Sequence, residues 1–453
     1  MGVEELERSL AVLLGEDADG PVAIADLRRL SGGASRETWS FDAEVGSTIR
    51  RLILQRLRPG ASASTTGIPI ATEADLISVA GASGVPVATL VAHDDGGVLG
   101  SAGMVVERLD GETIARKILR DDEWATARSR LGSQVGAALA AIHALPPDAV
   151  AGLRAVDPVE QFRTILDTLG EPHPAFELGF RWLDANRPAD VGGRVVHGDF
   201  RLGNLLVDHD GLRAVLDWEL AHLGDPLEDL GWFCVRAWRF GAALPAGGVA
   251  TREELVAAYE AASGAAVDPA ALRWWEVLGT LKWGVICVMQ AWGHLGGAVR
   301  SVEMAAIGRR VCENEWDLLG LLPGGDLPGP TVAEHERGPD LYGRPTAGEL
   351  VEAVREWVDG DVRSTTEGRV AFHARVAVNA LAMLERQLQQ GPGQEAAHAE
   401  RLRGLGYDDD EGLAAAIRRG DEDARIDVVR AAVAASVRAK LEVANPRWLE
   451  PDE

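Results

Sequence analysis

The segment at residues 195–220, VVHGDFRLGNLLVDHDGLRAVLDWEL, constrains the fold and the chemistry of this chain more than any other. Two short apolar runs stand on either side of a polar turn at 208–211, which is the pattern of a β-hairpin. Asp199 and Asn204 precede the first run, and Asp217 ends the second. We therefore expect the hairpin to bring these three side chains to one end of a small ribbon.

These residue types suit phosphoryl transfer. The carboxylate of Asp199 can accept the proton of an attacking hydroxyl, and the oxygens of Asn204 and Asp217 are ligands that Mg²⁺ prefers. The order Asp, four residues, Asn and then an Asp at a strand end matches the catalytic loop and metal-binding Asp of kinases. Asp and Asn are also common turn formers. The His197-Gly pair ahead of Asp199 and the flanking apolar runs favour the catalytic interpretation.

The elements around this segment predict a mixed fold. Strand-like runs separated by Gly- and Ser-containing turns lie before residue 108, with a helix candidate at 70–80. Helical periodicity dominates from 124 to about 322, apart from the hairpin. A polar, Pro/Gly-rich stretch at 323–345 reads as a linker, and 347–443 is again almost entirely helical.

Three strings, HGDFRLGNLL, LDWE and GDPLEDLGW, resemble the aminoglycoside phosphotransferase and choline kinase family. The resemblance covers about 27–322 and is closest to the kinase-like modules found beside acyl-CoA dehydrogenases. It implies an α+β, bilobal protein-kinase-like fold, with an antiparallel-sheet N-lobe at 1–108 and a mostly helical C-lobe at 109–322. The stretch at 346–453 resembles an all-α domain of unknown function that is often attached to such kinases.

Carried over by residue, the resemblance assigns roles to the loop. Asp199 would be the catalytic base, and His197 would brace the loop. Asp225 and Asp229 would brace the loop and the following helix rather than contact substrate.

The same resemblance implies ATP (or GTP) and Mg²⁺ as cofactors. Asn204 and Asp217 would bind the metal, and Glu219 would contact the metal or the acceptor.

Further residues are implied for nucleotide binding in the N-lobe. Gly32, Gly33 and Ser35 stand at the phosphate-loop position and can offer backbone N–H groups. Glu73 matches the helix glutamate that pairs with a basic residue on the third strand. Glu107 lies in the segment that joins the lobes and would meet adenine through its main chain.

The third strand departs from the family pattern, because the likeliest alignment places Gln55 at the basic position and Arg56 next to it. Side chains alternate across a strand, so the two residues cannot both face the cleft. If Arg56 faces the cleft, it pairs with Glu73. If Gln55 does, the charge is missing, the grip on phosphate is weaker and activity is in doubt.

The charge balance limits the partners and the compartment. The 453 residues carry 45 Lys and Arg against 70 Asp and Glu, a formal net charge of −25, which argues against nucleic acid or a membrane as a partner. No apolar stretch reaches the ~18 residues of a membrane span. Three widely spaced cysteines and an acidic N-terminus without a leader pattern predict a cytoplasmic protein.

The acceptor pocket is expected in the Trp-rich helical lobe. Its candidates are Trp232, Trp238, Trp275, Lys282, Trp283 and Trp292. They share no single helical stripe, so not all face one cleft. Lys282 either extends to the surface, which is the favoured interpretation, or meets an anion. Such a region fits a small-molecule hydroxyl acceptor, for example a hydroxyacyl thioester or another small alcohol, better than a polycationic aminoglycoside.

Two functions remain open at this point. The first is an ATP- and Mg²⁺-dependent phosphotransferase acting on a small-molecule hydroxyl, and the second is a catalytically weak nucleotide-binding regulatory or scaffold module. A protein kinase is disfavoured, since no D-F-G or A-P-E string follows Asp217. The C-terminal helices are expected to form a lid or an interface, including that of a homo-oligomer.

Overall fold

The computed structural model describes residues 2–16, 20–30, 36–58, 67–189, 191–298, 301–324, 326–329 and 345–450. Its N-terminal part is a five-stranded antiparallel sheet in the order β1-β2-β3-β5-β4. The strands are β1 Val22–Arg29, β2 Arg36–Val45, β3 Thr48–Leu57, β4 Leu90–Asp95 and β5 Ala102–Glu107. Helix α1 (Val3–Gly15) precedes the sheet, and α2 (Ile70–Ala82) lies between β3 and β4.

The two faces of the sheet pack against different helices. Leu52 and Leu54 of β3 share an apolar cluster with Leu6 of α1, whereas Leu57 packs against the cluster that contains Ile77 of α2. Side chains of β3 therefore alternate between an α1 face and an α2 face, as the pleat of a strand requires.

The predicted hairpin is confirmed. β7 (Leu205–Asp208) pairs antiparallel with β8 (Gly211–Val215), and β6 (Arg194–Val196), which precedes the hairpin, pairs antiparallel with β9 (His222–Gly224). The surrounding helices are α3 Ala115–Arg120, α4 Ala125–His143, α7 Leu227–Cys234 and α8 Arg252–Ser263. Together with the sheet, residues 2–156 and 189–276 make one compact unit.

The second compact unit comprises 157–188 and 277–450, and every element described in it is helical. Its helices are α5 Pro158–Leu169, α6 Pro174–Ala185, the greater part of α9 Pro269–Leu295, α10 Val302–Gly308, α11 Val311–Leu321, α12 Ala347–Trp357, α13 Gly368–Leu405, α14 Asp410–Arg419 and α15 Ile426–Ala444. Helix α6 packs against α14, and α11 packs against α15.

The sheet, the helical bulk and the all-helical C-terminal region confirm the predicted fold class. The contacts group α5, α6 and α11 with the C-terminal helices, although the sequence assigned them to the C-lobe. The domain boundaries near 108, 322 and 345 stay predictions, and most of the linker lies outside the described residues. Among the described helices, none combines the length and the apolar character needed to span a bilayer.

Candidate active site

Asp199 lies in the turn after β6, and three side chains hold its carboxylate. Its Oδ1 accepts a hydrogen bond from the indole Nε1 of Trp232 at 2.8 Å, and its Oδ2 accepts one from Nδ2 of Asn204 at 2.7 Å. The Nε of Arg201 lies 3.1 Å from Oδ1. These donors fix the carboxylate while 16% of the Asp199 side chain stays exposed, which leaves access for a hydroxyl.

His197 connects the two ends of the hairpin. Its Nε2 lies 2.9 Å from the carbonyl oxygen of Leu216, and its Nδ1 lies 3.3 Å from the backbone nitrogen of Asp199. Complete burial lowers the pKa of His197 despite the nearby charge of Asp229. The neutral ring therefore donates through Nε2 and accepts at Nδ1, which is the geometry of a brace.

Asp229 of α7 accepts hydrogen bonds from the backbone of the same turn. Its two oxygens accept backbone hydrogen bonds from His197 at 2.8 Å and from Gly198 at 2.9 Å, and Nε2 of His143 lies 3.1 Å from Oδ2. Burial acts to raise the pKa of Asp229, but the hydrogen bond and charge of His143 lower it to about 2. Asp225 caps the start of α7 by accepting a backbone N–H at 2.8 Å. Both aspartates have the contacts of bracing residues.

Asn204 and Asp217 lie side by side at the open end of the hairpin, since the backbone N–H of Leu216 donates to the carbonyl of Asn204 at 2.9 Å. Because Asn204 donates through Nδ2 to Asp199, its Oδ1 remains an acceptor. Asp217 has φ +65 and ψ +64, a left-handed conformation that Asp adopts more readily than most residues. Glu219 follows in the next helical turn.

The electrostatics of this end suit a divalent cation. Burial, with the negative charges of Glu219 and Asp199, raises the pKa of Asp217 to about 7. A hard cation bound by oxygens would offset the repulsion between these carboxylates. Across the described ranges, no three His, Cys, Asp or Glu side chains form a metal cluster. The amide oxygen of Asn204 and the carboxylate of Asp217 are oxygen donors of the kind that Mg²⁺ prefers, so the residues present fit that cation.

Glu73 of α2 pairs with an arginine that the sequence did not single out. Its Oε2 lies 2.6 Å from Nη2 of Arg36, the first residue of β2, and the same nitrogen lies 3.3 Å from Oε2 of Glu219. Burial acts to lower the pKa of Arg36, but Glu73, Glu219 and Asp217 raise it. Arg36 is therefore a cation that joins the sheet, α2 and the turn after Asp217.

The register of β3 decides between the two predicted alternatives. Arg56 lies on the α1 face, with its Nη2 3.0 Å from Glu37 and its Nη1 3.2 Å from the carbonyl of Leu99. Gln55 lies on the α2 face, which is also the face of Arg36. The predicted pairing of Arg56 with Glu73 is wrong, because Arg36 takes that place. The structure has the other alternative, in which Gln55 faces the α2 side and this position of β3 carries no charge. The weaker grip on phosphate stays a prediction.

Glu107 ends β5, where the nucleotide base is expected. Its carboxylate pairs with Arg50 at 3.0 Å, and its backbone N–H donates to the carbonyl of Thr89 at 2.9 Å. A main-chain contact from Glu107 to a base would therefore use its carbonyl oxygen.

The predicted phosphate-loop residues Gly32, Gly33 and Ser35 lie outside the described residues.

Aromatic side chains border Asp199 on one side. The rings of Trp232 and Trp238 lie 5.1 Å apart, and the guanidinium of Arg201 lies 4.9 Å from the centre of the Trp238 ring. Trp275 packs against the backbone of Gly231, where a Cβ would come within 2.7 Å of it. Of the predicted acceptor residues in this unit, Trp232 and Trp238 lie near Asp199 and Arg201, and Trp275 belongs to the packing between helices.

The remaining acceptor candidates, Lys282, Trp283 and Trp292, lie in the second unit. Lys282 is 7% exposed, and its ammonium lies 5.9 Å from the ring centre of Phe162. The expectation that Lys282 extends to the surface is therefore wrong. Trp292 is exposed, and its Nε1 donates to Glu171 at 3.3 Å.

Residues 26–275, more than half of the 453, match the phosphotransferase enzyme family (APH). This chain belongs to that family. A second match, over 364–448, is to a domain of unknown function (DUF6285). Both matches confirm the resemblance seen in the sequence of this phosphotransferase-family protein.

Several known proteins are similar to this phosphotransferase-family chain. It is 27% identical over 243 residues to the mouse acyl-CoA dehydrogenase family member 10, covering 51% of this chain and 22% of that protein. It is 27% identical over 227 residues to the probable acyl-CoA dehydrogenase IBR3 of Arabidopsis thaliana, covering 45% of this chain and 27% of that protein. The chain thus spans about a quarter of the length of these curated relatives.

A crystal structure from Ralstonia eutropha JMP134, assigned to the aminoglycoside phosphotransferases, superposes with a TM-score of 0.54 at 20% identity. It covers 69% of this chain and 97% of the other. The protein-kinase-like fold predicted for this phosphotransferase-family chain is confirmed by that likeness.

Sequence reasoning missed three residues at the site of this family member: Arg36, Arg201 and His143. Arg201 stands two residues after Asp199 inside the quoted motif, and its charge was the available signal. Arg36 and His143 carry no local signal, since their partners Glu73 and Asp229 are 37 and 86 positions away.

Proposed function

We propose that this protein transfers the γ-phosphate of ATP to a hydroxyl group of a small molecule. The observation that carries the proposal is the oriented carboxylate of Asp199, which lies beside the oxygen ligands of Asn204 and Asp217 at the end of one hairpin. A general base and a pair of hard ligands at this spacing are what phosphoryl transfer requires of a protein.

Each residue has a defined task in this reaction. Asp199 accepts the proton of the acceptor hydroxyl as its oxygen attacks the γ-phosphorus, the bond from phosphorus to the bridging oxygen breaks, and ADP leaves. Trp232, Asn204 and Arg201 keep the carboxylate aligned for that proton. Mg²⁺, held by Asn204 and Asp217, would neutralise charge on the phosphate oxygens.

The surroundings of Asp199 support an acceptor that is neutral or anionic and partly apolar. Arg201 lies beside the base, and the wall next to it is built from Trp232 and Trp238 rather than from carboxylates. A polycation such as an aminoglycoside would be repelled by Arg201. A hydroxyacyl thioester or another small alcohol fits these surroundings better.

Product analysis with a matched pair of variants tests the proposal. The wild type is incubated with Mg²⁺-ATP and a panel of hydroxyacyl thioesters, small alcohols and aminoglycosides, and phosphorylated products are identified by mass. Asp199→Asn should slow transfer by about 10²–10⁴-fold, the usual contribution of a general base. Asp210→Asn is the control, because Asp210 lies in the same hairpin with a side chain that is 91% exposed. Unchanged transfer by Asp199→Asn would contradict the assignment of the base.

A second candidate function is a nucleotide-binding regulatory module with weak catalysis. Gln55, an uncharged residue on the α2 face of β3, is the observation that favours it. Tight binding of Mg²⁺-ATP with no product across the panel would support this candidate over the first.

We also propose a cytoplasmic location and partners limited to small molecules and further copies of the chain. Cys234, Cys287 and Cys312 are buried thiols outside disulfides, and burial raises the pKa of each, which suits a reducing compartment. The net charge of −25 opposes binding to nucleic acids and anionic membranes.

A further inference from the structure

Arg36 is a buried cation that lies between the nucleotide side and the metal side of the site. It is 7% exposed, and its Nη2 lies 2.6 Å from Glu73 of α2 and 3.3 Å from Glu219. A buried guanidinium loses its hydration, so it is retained where anions compensate for that loss. The carboxylates of Glu73 and Glu219 provide this compensation at Nη2.

Two other nitrogens of the guanidinium have no compensating partner. Within the residues that the structure describes, neither Nε nor Nη1 of Arg36 has a hydrogen-bond acceptor, although both atoms are buried. The two atoms do not share an edge of the guanidinium, so each can donate separately to an oxygen of an anion such as a phosphate. Leaving such buried donors unsatisfied is costly, so they mark a site for an anion.

The position of Arg36 in the sheet identifies that anion. In the register of β2 and β3, Arg36 lies opposite Leu57, two residues from Gln55, on the face that packs against α2. This is the face on which the family pattern places a basic residue of β3 next to the helix glutamate. Gln55 has no charge, and Arg56 is on the other face with Glu37.

We propose that Arg36 binds the α- and β-phosphates of the nucleotide, so that in this protein the phosphate-binding cation stands on β2 instead of β3. Its Nη2 keeps the contact with Glu73, and its Nε and Nη1 donate to phosphate oxygens. This inference rests on the proposed function for the identity of the ligand, since an ATP-dependent transfer needs a nucleotide at this face.

Nucleotide binding without an acceptor tests the inference separately from phosphate transfer. Isothermal titration calorimetry with ADP and with adenosine, in the presence of Mg²⁺, is carried out on wild type, Arg36→Met, Gln55→Lys and the double variant Arg36→Met/Gln55→Lys. Loss of a charged hydrogen-bond donor should weaken ADP binding by about 10–100-fold in Arg36→Met. Adenosine, which has no phosphate, should change by less than about threefold because the base site is untouched.

Rescue distinguishes a moved cation from a structural ion pair. In Arg36→Met/Gln55→Lys, the lysine returns a cation to the same face, and ADP affinity should recover to within about fivefold of wild type. The control is Arg310→Met, which removes an arginine 3.0 Å from the buried Glu313 in the second unit and should leave ADP binding unchanged. If Arg36→Met alone fails to fold, Arg36→Met/Glu73→Gln carries the measurement, since it leaves no buried carboxylate without a cation.

Three outcomes would overturn the inference: ADP affinity unchanged in Arg36→Met, equal losses for ADP and adenosine, or no recovery on adding Gln55→Lys. If the wild type binds no nucleotide, the inference and the proposed function both fail. If it binds nucleotide through Arg36 but phosphorylates nothing, the inference stands and the transferase proposal fails.

Discussion

Gly198 lies between His197 and Asp199, the proposed base, and it has no room for a side chain. Its φ is +78, and a Cβ at this position would lie 2.4 Å from the carbonyl oxygen of Leu220. The turn after β6 can place His197 and Asp199 on their partners because a glycine separates them.

Gly198→Ala should therefore destabilise the fold and misplace the base. The backbone conformation alone would cost about 1–3 kcal/mol, and displacement of Leu220 adds to this cost. Urea denaturation measures the loss of unfolding free energy, and the transfer assay measures the loss of rate. Gly192→Ala, at a φ of +79 with nothing within 4 Å of its Cβ, controls for the backbone term. Equal effects of the two substitutions would contradict the steric argument.

At the scale of single residues, the sequence was sufficient for the hairpin and insufficient for Arg36. Asp199, Asn204 and Asp217 lie within 19 positions on one local ribbon, so local pattern and spacing bring them together. Whether Gln55 or Arg56 faces the cleft depends on which face of the sheet packs against α1 and which against α2. Tertiary packing decides this, and the alternation of side chains along β3 does not.

At the scale of elements, two buried charged groups and one exposed lysine join three helices of the second unit. His173, directly before α6, lies 3.0 Å from Glu315 of α11, and Lys440 of α15 lies 3.5 Å from the same carboxylate. Burial acts to lower the pKa of His173, but the neighbouring carboxylates of Glu171 and Glu315 raise it to about 9. The histidine is therefore protonated at neutral pH and contributes to the packing of α6 on α11.

The contribution of His173 to stability should depend on pH. Since its pKa is raised above the ordinary value of 6.5 to about 9, the contribution is complete below pH 6.5 and is lost as the pH rises through 9. His173→Gln should lower the unfolding free energy by about 2 kcal/mol at pH 6 and by much less above pH 9.

Urea denaturation at both pH values measures this difference, with His93→Gln as a control on the exposed part of β4. A constant penalty across the range would contradict the protonated form of His173.

The helical pattern of the C-terminal region predicted its elements, but not which of their faces is buried. Val370, Leu384 and Leu388 of α13 share one amphipathic stripe by their spacing, and the structure leaves all three exposed. Leu350, Val354 and Trp357 of α12 are exposed as well. Periodicity defines a stripe, but it does not say whether that stripe meets the same chain or another one.

At the scale of the whole molecule, these exposed residues favour association of two copies. We define the α12–α13 stripe as Leu350, Val354 and Trp357 of α12 and Val370, Leu384 and Leu388 of α13. The exposed acids Glu352 and Glu356 lie in α12. The exposed bases Arg369 and Arg375 lie in the first two turns of α13. An antiparallel pair of copies would place apolar side chains together and acids against bases.

Val354→Glu combined with Trp357→Glu should therefore shift the protein from dimer to monomer without unfolding it. Light scattering after size exclusion gives the mass, and circular dichroism gives the helix content. Val12→Glu, on the exposed side of α1, is the control for adding charge at an exposed valine. A wild type that elutes as a monomer at about 100 μM would contradict the association.

The placement of Arg36 and Gln55 on one sheet face has a consequence for the classification of relatives from genome sequences. A sequence search that requires a basic residue at the position of Gln55 in β3 would classify the chain as inactive. A search that also considers the start of β2 finds Arg36, whose Nη2 lies 2.6 Å from the carboxylate of Glu73. Members of this family with a neutral residue on β3 should be sorted by what stands at the start of β2 before any of them is counted as inactive.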